Sequence, residues 1–279
     1  MAAAAAGASV VVQGLSPLYT HKAWLAELPG LTQAAIEISK ALRATLMLPG
    51  NVYNFGDSMP SVLREDARQL PTTFKGRMRV ESEMQIRAAT DDGAMRAVVI
   101  RGGDFFGSST GSWFDLVMAK DLTRGKLTYP GKLNLETAWV YLPDLARSFV
   151  KVAEQRDRLG AFETLHFSGH NLSGQQWADA VAPIAREQDW LQAGKPLRVS
   201  TVPWVLMRAI GLFVPTVAAL CEMRYLWRRP YALANDRLVV LIGEEPRTPF
   251  PQALRNALAD LGMLSPRPRR AGRSTLAIG

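Results

Sequence analysis

Three short apolar runs, each ending in a turn rich in glycine, proline or asparagine, constrain the fold of this chain most strongly. The runs are residues 10–13, 45–48 and 97–101, and the turns that follow them are residues 14–17, 49–51 and 102–107. Helical segments separate the runs, and buried strands that alternate with helices are typical of a parallel sheet. Ligands of open α/β sheets bind in the crevice at the carboxyl ends of the strands. The sequence therefore predicts a binding site along that edge.

Composition indicates a globular protein and argues against nucleic-acid binding. The chain has 279 residues, of which 48% are hydrophobic and 21% charged, which is enough for one large domain or a domain with a subdomain. The formal net charge is +8, but four of the arginines lie in the last fifteen residues, at 267, 269, 270 and 273. The body is therefore only mildly basic, and nucleic-acid binding is not expected. A single cysteine, Cys221, fits a reducing compartment, and we expect the cytoplasm.

One stretch could be considered as a membrane span. Residues 199–220 are largely apolar, but they contain Arg208, Gly211 and Pro215, whereas a spanning helix needs about 20 predominantly apolar residues. We predict a buried or groove-lining pair of helices. A peripheral membrane contact through this stretch and the basic tail is the alternative. Residues 1–12 lack the positive region of a secretory signal.

Helical periodicity places the remaining elements. It predicts one helix broken at Pro29-Gly30 into residues 21–28 and 32–43, and another over residues 75–89. Ser173 and Gln176 have the spacing of a capping box at a helix start. Residues 137–141 and 164–167 are predicted strands. Residues 102–136, rich in glycine, serine and aromatic side chains, are predicted to be an insert that can close over the crevice.

Five segments, taken in order, resemble one family. VVVQGLSP (residues 10–17) resembles its fourth strand, LMLPGNVYNFG (46–56) its fifth strand with a VYG turn, and KGRMRVESE (75–83) the helix that bears Tyr-x-x-x-Lys. VVIRGGDFFG (98–107) resembles its R-P-x-x-x-Y-G turn, and WVYLPDLARSFVKV (139–152) its V-x-D-x-A segment. The chain thus resembles an atypical extended short-chain dehydrogenase/reductase, of the NAD(P)-dependent epimerase/dehydratase group.

The resemblance implies a fold and a division of the chain. We expect an α/β fold: an incomplete Rossmann-like parallel sheet with helices on both faces, plus a smaller, mainly helical C-terminal substrate subdomain. Residues 1–107 would be a partial NAD(P)-binding core, residues 108–264 the subdomain, with 137–167 returning strands to the sheet, and residues 265–279 a basic disordered tail. The family's G-x-x-G-x-x-G turn is absent from the sequence. The missing βαβ units correspond to about 60 residues, so we expect an N-terminal truncation or a shortened protein.

The resemblance also assigns candidate site residues. Lys75 and Arg79 stand where the family has its catalytic tyrosine and lysine, and Asn51 lies where it has serine or threonine. With Tyr53, the nearest phenol, these are the candidate catalytic residues. The candidate cofactor-binding residues are Gly14, Leu15, Pro17, Pro49, Gly50, Lys75, Gly103 and Asp104, and the candidate substrate residues are Asp104, Phe105 and Phe106. No metal is expected, because His166 and His170 lack a third ligand.

The implied activity is that of an oxidoreductase or epimerase that uses NAD or NADP on a nucleotide sugar or a small carbonyl or hydroxyl compound. The acidic or basic residue that separates NAD from NADP follows the second strand of such folds, and that strand is absent here. A homodimer through helices such as 32–43 and 75–89 is a further expectation. Because the Tyr/Lys pair is replaced, a non-catalytic dinucleotide- or ligand-binding protein of the same fold is the alternative.

Overall fold

The computed structural model describes residues 2–108 and 110–265. Its strands are β1 (Val10–Val12), β2 (Thr45–Gly50), β3 (Val62–Leu63), β4 (Arg96–Arg101), β5 (Asp104–Phe106), β6 (Lys126–Tyr129), β7 (Glu136–Tyr141), β8 (Phe162–His166), β9 (His170–Ser173), β10 (Arg198–Thr201) and β11 (Ala232–Leu233). Its α-helices are α1 (His21–Leu42), α2 (Phe74–Ala89), α3 (Leu142–Glu154), α4 (Gly174–Glu187), α5 (Trp204–Gly211), α6 (Pro215–Glu222), α7 (Asp236–Ile242) and α8 (Phe250–Asp260).

A parallel sheet of order β1-β2-β4-β8 lies at the centre of the molecule. Successive side chains of a strand point to opposite faces, so β2 and β4 bury apolar residues on both sides. Leu46, Leu48 and Val99 pack against α1 and α2 on one face. Met47 and Val98 pack against α3 and α7 on the other. The predicted α/β class, with a parallel sheet between helices, is confirmed.

Helix α1 is continuous, and the predicted break at Pro29-Gly30 is wrong. A proline inside a helix removes a hydrogen bond to the carbonyl four residues earlier. Here that carbonyl belongs to Leu25, and both Leu25 and Pro29 are exposed, so water can satisfy it. Burial of Trp24, Leu28 and Ile36 at other positions along the helix holds it together. A hydrogen bond of 2.7 Å between the hydroxyls of Thr32 and Ser82 fixes α1 to α2.

A second sheet, of order β5-β7-β9, lies beside the first. Strand β5 runs parallel to β7, and β9 runs antiparallel to it. Residues 137–167 are expected to return strands to the parallel sheet. Only β8 does so, because β7 pairs in the second sheet. An aromatic cluster built around Phe106, Phe114 and Trp177 covers this sheet with α4 and α8. Ser173 forms the predicted capping box with Gln176 at the start of α4.

Residues 199–220 form strand β10 and the helices α5 and α6 rather than one long helix. Among the described residues, no helix combines the length and the apolar character that crossing a bilayer requires. The basic tail predicted at residues 265–279 lies, apart from Ser265, outside the described residues.

Candidate active site

A pocket of about 430 Å³ lies at the carboxyl ends of β1 and β2 and beside β5. Its wall is shared by the turns that follow the strands, the first turn of α1 and the second turn of α2. Residues from 107–108, from 110–117 and from α6 complete it. Sites for small molecules commonly measure roughly 300 to 1,000 Å³. The pocket therefore lies at the sheet edge that the strand–turn pattern indicates, and part of the predicted insert forms one wall of it.

The structure brings most of the candidate residues together. Those that line the pocket are Gly14, Leu15, Pro49, Asn51, Tyr53, Arg79, Asp104 and Phe105. Those that do not are Pro17, Gly50, Lys75, Gly103 and Phe106. Phe106 is fully buried among Phe114, Tyr141 and Trp177. Gly103 packs against the backbone of Ala138, where an added Cβ would lie 2.0 Å from the carbonyl oxygen.

Two phenols meet in the pocket. The hydroxyl groups of Tyr19 and Tyr53 are 3.2 Å apart. Burial and the neighbouring Asp104 carboxyl raise the pKa of Tyr53 to about 12, and burial raises the pKa of Tyr19 well above its ordinary value. Both groups are therefore neutral at physiological pH and act as hydrogen-bond donors and acceptors. Sequence reasoning missed Tyr19, because it lies in the loop before α1 with no motif around it.

The two cations at the family's catalytic positions lie one turn apart on α2. The ammonium of Lys75 is buried and lies 4.2 Å from the ring centre of Tyr19. It has no hydrogen-bond partner among the described residues. Burial lowers the pKa of Lys75 to about 8, although Glu222 opposes this shift. The guanidinium of Arg79 lies 5.1 Å from the ring centre of Trp24 and reaches the pocket wall. Lys75 therefore lies behind Tyr19, and only Arg79 lines the pocket.

Asp104 is a buried carboxyl group without a cationic partner in the described part of the chain. Its Oδ2 accepts a hydrogen bond of 2.9 Å from the indole Nε1 of Trp227. Desolvation raises the pKa of Asp104 to about 7, and the bond from Trp227 only partly opposes this. A carboxyl of this kind gains and loses its proton near neutral pH, as acid–base catalysis requires.

The turn after β2 is held from two sides. The side-chain oxygen of Asn51 accepts a hydrogen bond of 3.0 Å from the backbone N–H of Tyr53. The backbone carbonyl of Asn51 accepts a bond from the guanidinium of Arg101 on β4. The turn thus holds Asn51 and Tyr53 at the pocket edge, and the Asn51 side-chain nitrogen has no hydrogen-bond partner among the described residues.

His166 and His170, the two histidines considered as metal ligands, are both buried. His166 is buried at the end of β8, where its Nδ1 lies 3.2 Å from the carbonyl oxygen of Leu63. Burial lowers the pKa of His166 to about 3, so it is neutral. His170 packs against Phe250 and Phe106. The residues that the structure describes contain no group of three or more histidine, cysteine or carboxylate side chains that could hold a metal.

No family model and no curated protein sequence matches the chain, but several solved structures are similar to it. MoeE5 in complex with UDP-glucose and NAD matches with a TM-score of 0.65 and 15% identity over 94% of this chain and 81% of its own. L-threonine dehydrogenase from Phytophthora infestans matches with a TM-score of 0.68 and 14% identity over 92% and 79%. UDP-glucuronic acid 4-epimerase from Bacillus cereus in complex with NAD matches with a TM-score of 0.64 and 14% identity over 85% and 67%.

This chain has the fold of the NAD-dependent epimerases and dehydratases. The resemblance carried by the five sequence segments is thereby confirmed for the fold. Within this epimerase/dehydratase fold, the pocket lies where the crevice rule for open parallel sheets places a ligand. A fold does not establish an activity, so the chemistry has to come from the residues of the pocket.

Proposed function

We propose that this chain binds NAD or NADP and acts as an oxidoreductase of the epimerase/dehydratase type on a small hydroxyl or carbonyl compound such as a nucleotide sugar. One observation carries the proposal: Asn51, Tyr53, Arg79 and Asp104 converge in one pocket at the carboxyl edge of a parallel sheet. The titles of solved structures with this fold name bound NAD and UDP-sugars, which supports the choice of ligands.

The pocket residues fit the nicotinamide end of such a cofactor. Flat aromatic side chains, Phe105 and Trp113, share the wall with the hydroxyls of Tyr19 and Tyr53. A Cβ added at Gly14 would meet nothing within 4 Å, so a ligand can approach that backbone closely. The sequence has no glycine-rich turn to cradle a pyrophosphate. The proposal therefore assigns these residues to the nicotinamide, its ribose and the substrate only.

The bound cofactor would supply hydride transfer, and the protein would orient the reactants. The amide of Asn51 would hold the reacting oxygen of the substrate from the β2 turn. Arg79 would bind hydroxyl oxygens of the cofactor ribose or phosphate oxygens of the substrate as a permanently charged donor. Lys75 would act only through the ring of Tyr19, since its ammonium does not line the pocket.

Cofactor binding is the first test of this proposal. Titration of the purified protein with NADH and NADPH, followed by nicotinamide fluorescence, is expected to show saturable enhancement. The variant Arg79→Met should weaken binding at least tenfold. The matched control, Arg77→Met, changes an exposed arginine on the same helix and should bind like wild type. Absence of enhancement in the wild-type protein would contradict the proposal.

A non-catalytic binding protein of the same fold is the second candidate, and the position of Lys75 favours it. The residue at the family's tyrosine position is a lysine buried behind Tyr19, and the residue at the lysine position is an arginine. Neither replaces a phenol as a neutral proton donor at the pocket. Incubation with NAD⁺ and a panel of UDP-sugars and secondary alcohols, analysed by mass spectrometry, separates the two candidates: cofactor binding without any product supports the second.

Assembly, organisation and location are further parts of the proposal. We propose a homodimer through α1 and α2, because Leu25 on α1 is 62% exposed and Met84 on α2 is 64% exposed. Light scattering of wild type and of a Leu25→Glu/Met84→Glu double variant tests this.

We also propose the division after residue 107 and a cytoplasmic location. Limited proteolysis between 107 and 111, and cell fractionation, test these two.

A further inference from the structure

We propose that Asp104 is the residue that exchanges a proton with the bound substrate, in place of the lysine that stands at the expected catalytic position. This inference rests on the proposed function and names the proton-transferring group of the same site. It follows from which ionisable side chains reach the pocket, from how the Asp104 carboxyl is held, and from what surrounds it.

Few ionisable groups reach the pocket. Among the described residues that line it, they are Tyr19, Tyr53, Arg79 and Asp104. The Lys75 ammonium lies behind the Tyr19 ring and is not part of the lining. An arginine stays protonated and cannot accept a proton from an alcohol. The choice is therefore between the two phenols, which are hydrogen-bonded to each other, and the carboxyl.

The Asp104 carboxyl lies at the pocket wall and is held there by one hydrogen bond. The indole of Trp227 donates to Oδ2, while Oδ1 has no hydrogen-bond partner in the part of the chain that the structure describes. Asp104 keeps 7% of its surface exposed at this wall. Pairing of β5 with β7 places Asp104 opposite Trp139, and the close contact of Gly103 with Ala138 fixes the backbone beside it. A carboxyl positioned in this way can meet a substrate oxygen without rearranging.

Phenols surround Asp104. Its carboxyl raises the pKa of Tyr19 and Tyr53 on the pocket side, of Tyr129 on β6, and of Tyr225 and Tyr231. The charged side chain that lines the same pocket is Arg79. Each phenol has a raised pKa and stays neutral at physiological pH. No arginine or lysine forms an ion pair with Asp104 among the described residues. Burial alone thus raises the pKa of Asp104 to about 7.

The proton transfer can be written for an alcohol substrate. The ionised Oδ1 of Asp104 accepts the hydroxyl proton as the C–O single bond becomes a C=O double bond. The hydrogen on the same carbon leaves with its electron pair to the oxidised nicotinamide of NAD(P)⁺. Asp104 ends protonated and returns the proton to the oxygen when the carbonyl is reduced again. The bound cofactor would take the hydride as the alcohol is oxidised, and the carboxyl carries the proton between the two half-reactions.

The first test needs neither cofactor nor substrate. The indole ¹⁵N–¹H signal of Trp227 reports on its acceptor, so we expect it to shift between pH 5 and pH 9 with a midpoint near pH 7. The variant Asp104→Asn should abolish this transition. The matched control Asp57→Asn removes an exposed carboxyl that acts on Tyr225, and it should retain the transition. A pH-independent signal in wild type, or an unchanged transition in Asp104→Asn, would overturn the proposal.

The second test uses the full reaction. We expect Asp104→Asn to lower kcat at least 100-fold and to remove the limb near pH 7 from the pH profile of kcat, while saturable NADH binding is retained. Asp57→Asn should behave like wild type. Retention of kcat within threefold by Asp104→Asn would overturn the role of Asp104 and leave the proposed function standing. Failure of the wild-type protein to bind NAD(P)H would instead contradict the proposed function.

Discussion

Arg101 on β4 and Glu83 on α2 form an ion pair of 2.7 Å beneath the pocket, and the Arg101 side chain is fully buried. Nη2 of the guanidinium donates to the Glu83 carboxylate, while Nη1 donates to the backbone carbonyl of Asn51. The pair therefore joins the helix that carries Arg79 to the turn that carries Asn51. Its integrity sets the distance between two walls of the pocket.

Breaking this pair should destabilise the protein strongly. The variant Arg101→Met leaves the Glu83 carboxylate buried without its cation, and removing one partner of a buried pair typically costs about 3–5 kcal/mol. We expect a loss of about 3 kcal/mol in the free energy of unfolding, measured by urea denaturation at pH 7. Arg124→Gln breaks an exposed pair with Asp121 and should cost less than about 1 kcal/mol. If Arg101→Met also lost less than about 1 kcal/mol, the ion pair would not stabilise the protein as expected.

Replacing Asp104 should stabilise the protein in a pH-dependent way. The pKa of Asp104 is about 7 in the folded protein, and an unfolded aspartate titrates near about 3.9. Between these values the folded state binds more protons, so stability falls as pH rises from about 4 to about 7. Asp104→Asn escapes this loss. We expect it to be more stable than wild type by about 4 kcal/mol at pH 8 and by about 1.5 kcal/mol at pH 5. Equal stabilities at pH 8 would rule this out.

Replacing Lys75 should produce the opposite pH dependence. The folded-state pKa of Lys75 is about 8, below that of an unfolded lysine near about 10.4. The unfolded state binds more protons between these values, so the stability of wild type rises with pH across this window. Lys75→Met loses the contact with Tyr19 but removes a buried charge. We expect its free energy of unfolding to exceed that of wild type by about 1–3 kcal/mol at pH 7 and to equal it at pH 10.5. Lys120→Met, an exposed control, should match wild type, and a destabilised Lys75→Met would contradict the prediction.

Much of the fold could be predicted because its signals are local. Strands β2 and β4 are continuous apolar runs, and α2 shows helical spacing, so the parallel sheet and its carboxyl edge follow from sequence. Pro29 shows the limit of such reasoning: a helix breaker is tolerated where it is itself exposed and other residues of the same helix are buried. The outcome depended on tertiary packing, which propensity does not record.

The candidate site divides in the same way. Gly14, Asn51 and Asp104 lie within three residues of the ends of β1, β2 and β4, so the crevice rule identifies them from their place in the sequence. Tyr19 and Trp113 reach the pocket from the entry to α1 and from the segment after β5, and their positions depend on how these segments pack. The burial of Lys75 behind Tyr19 could not be predicted either, because it depends on how the loop before α1 packs against α2. The catalytic and cofactor-binding roles of the candidate residues stay predictions.

Two glycines in the candidate cofactor set should respond differently to alanine. A Cβ at Gly103 would lie 2.0 Å from the carbonyl oxygen of Ala138, so β7 would have to move, and we expect Gly103→Ala to cost about 3 kcal/mol by urea denaturation. A Cβ at Gly14 meets no atom within 4 Å, so Gly14→Ala should leave stability unchanged. Because Gly14 lines the pocket, that methyl group would project into the space that a ligand needs, and NADH affinity should fall at least fivefold. Normal NADH binding by Gly14→Ala would remove Gly14 from the cofactor site, whereas an unperturbed Gly103→Ala would mean that β5 and β7 can separate without cost.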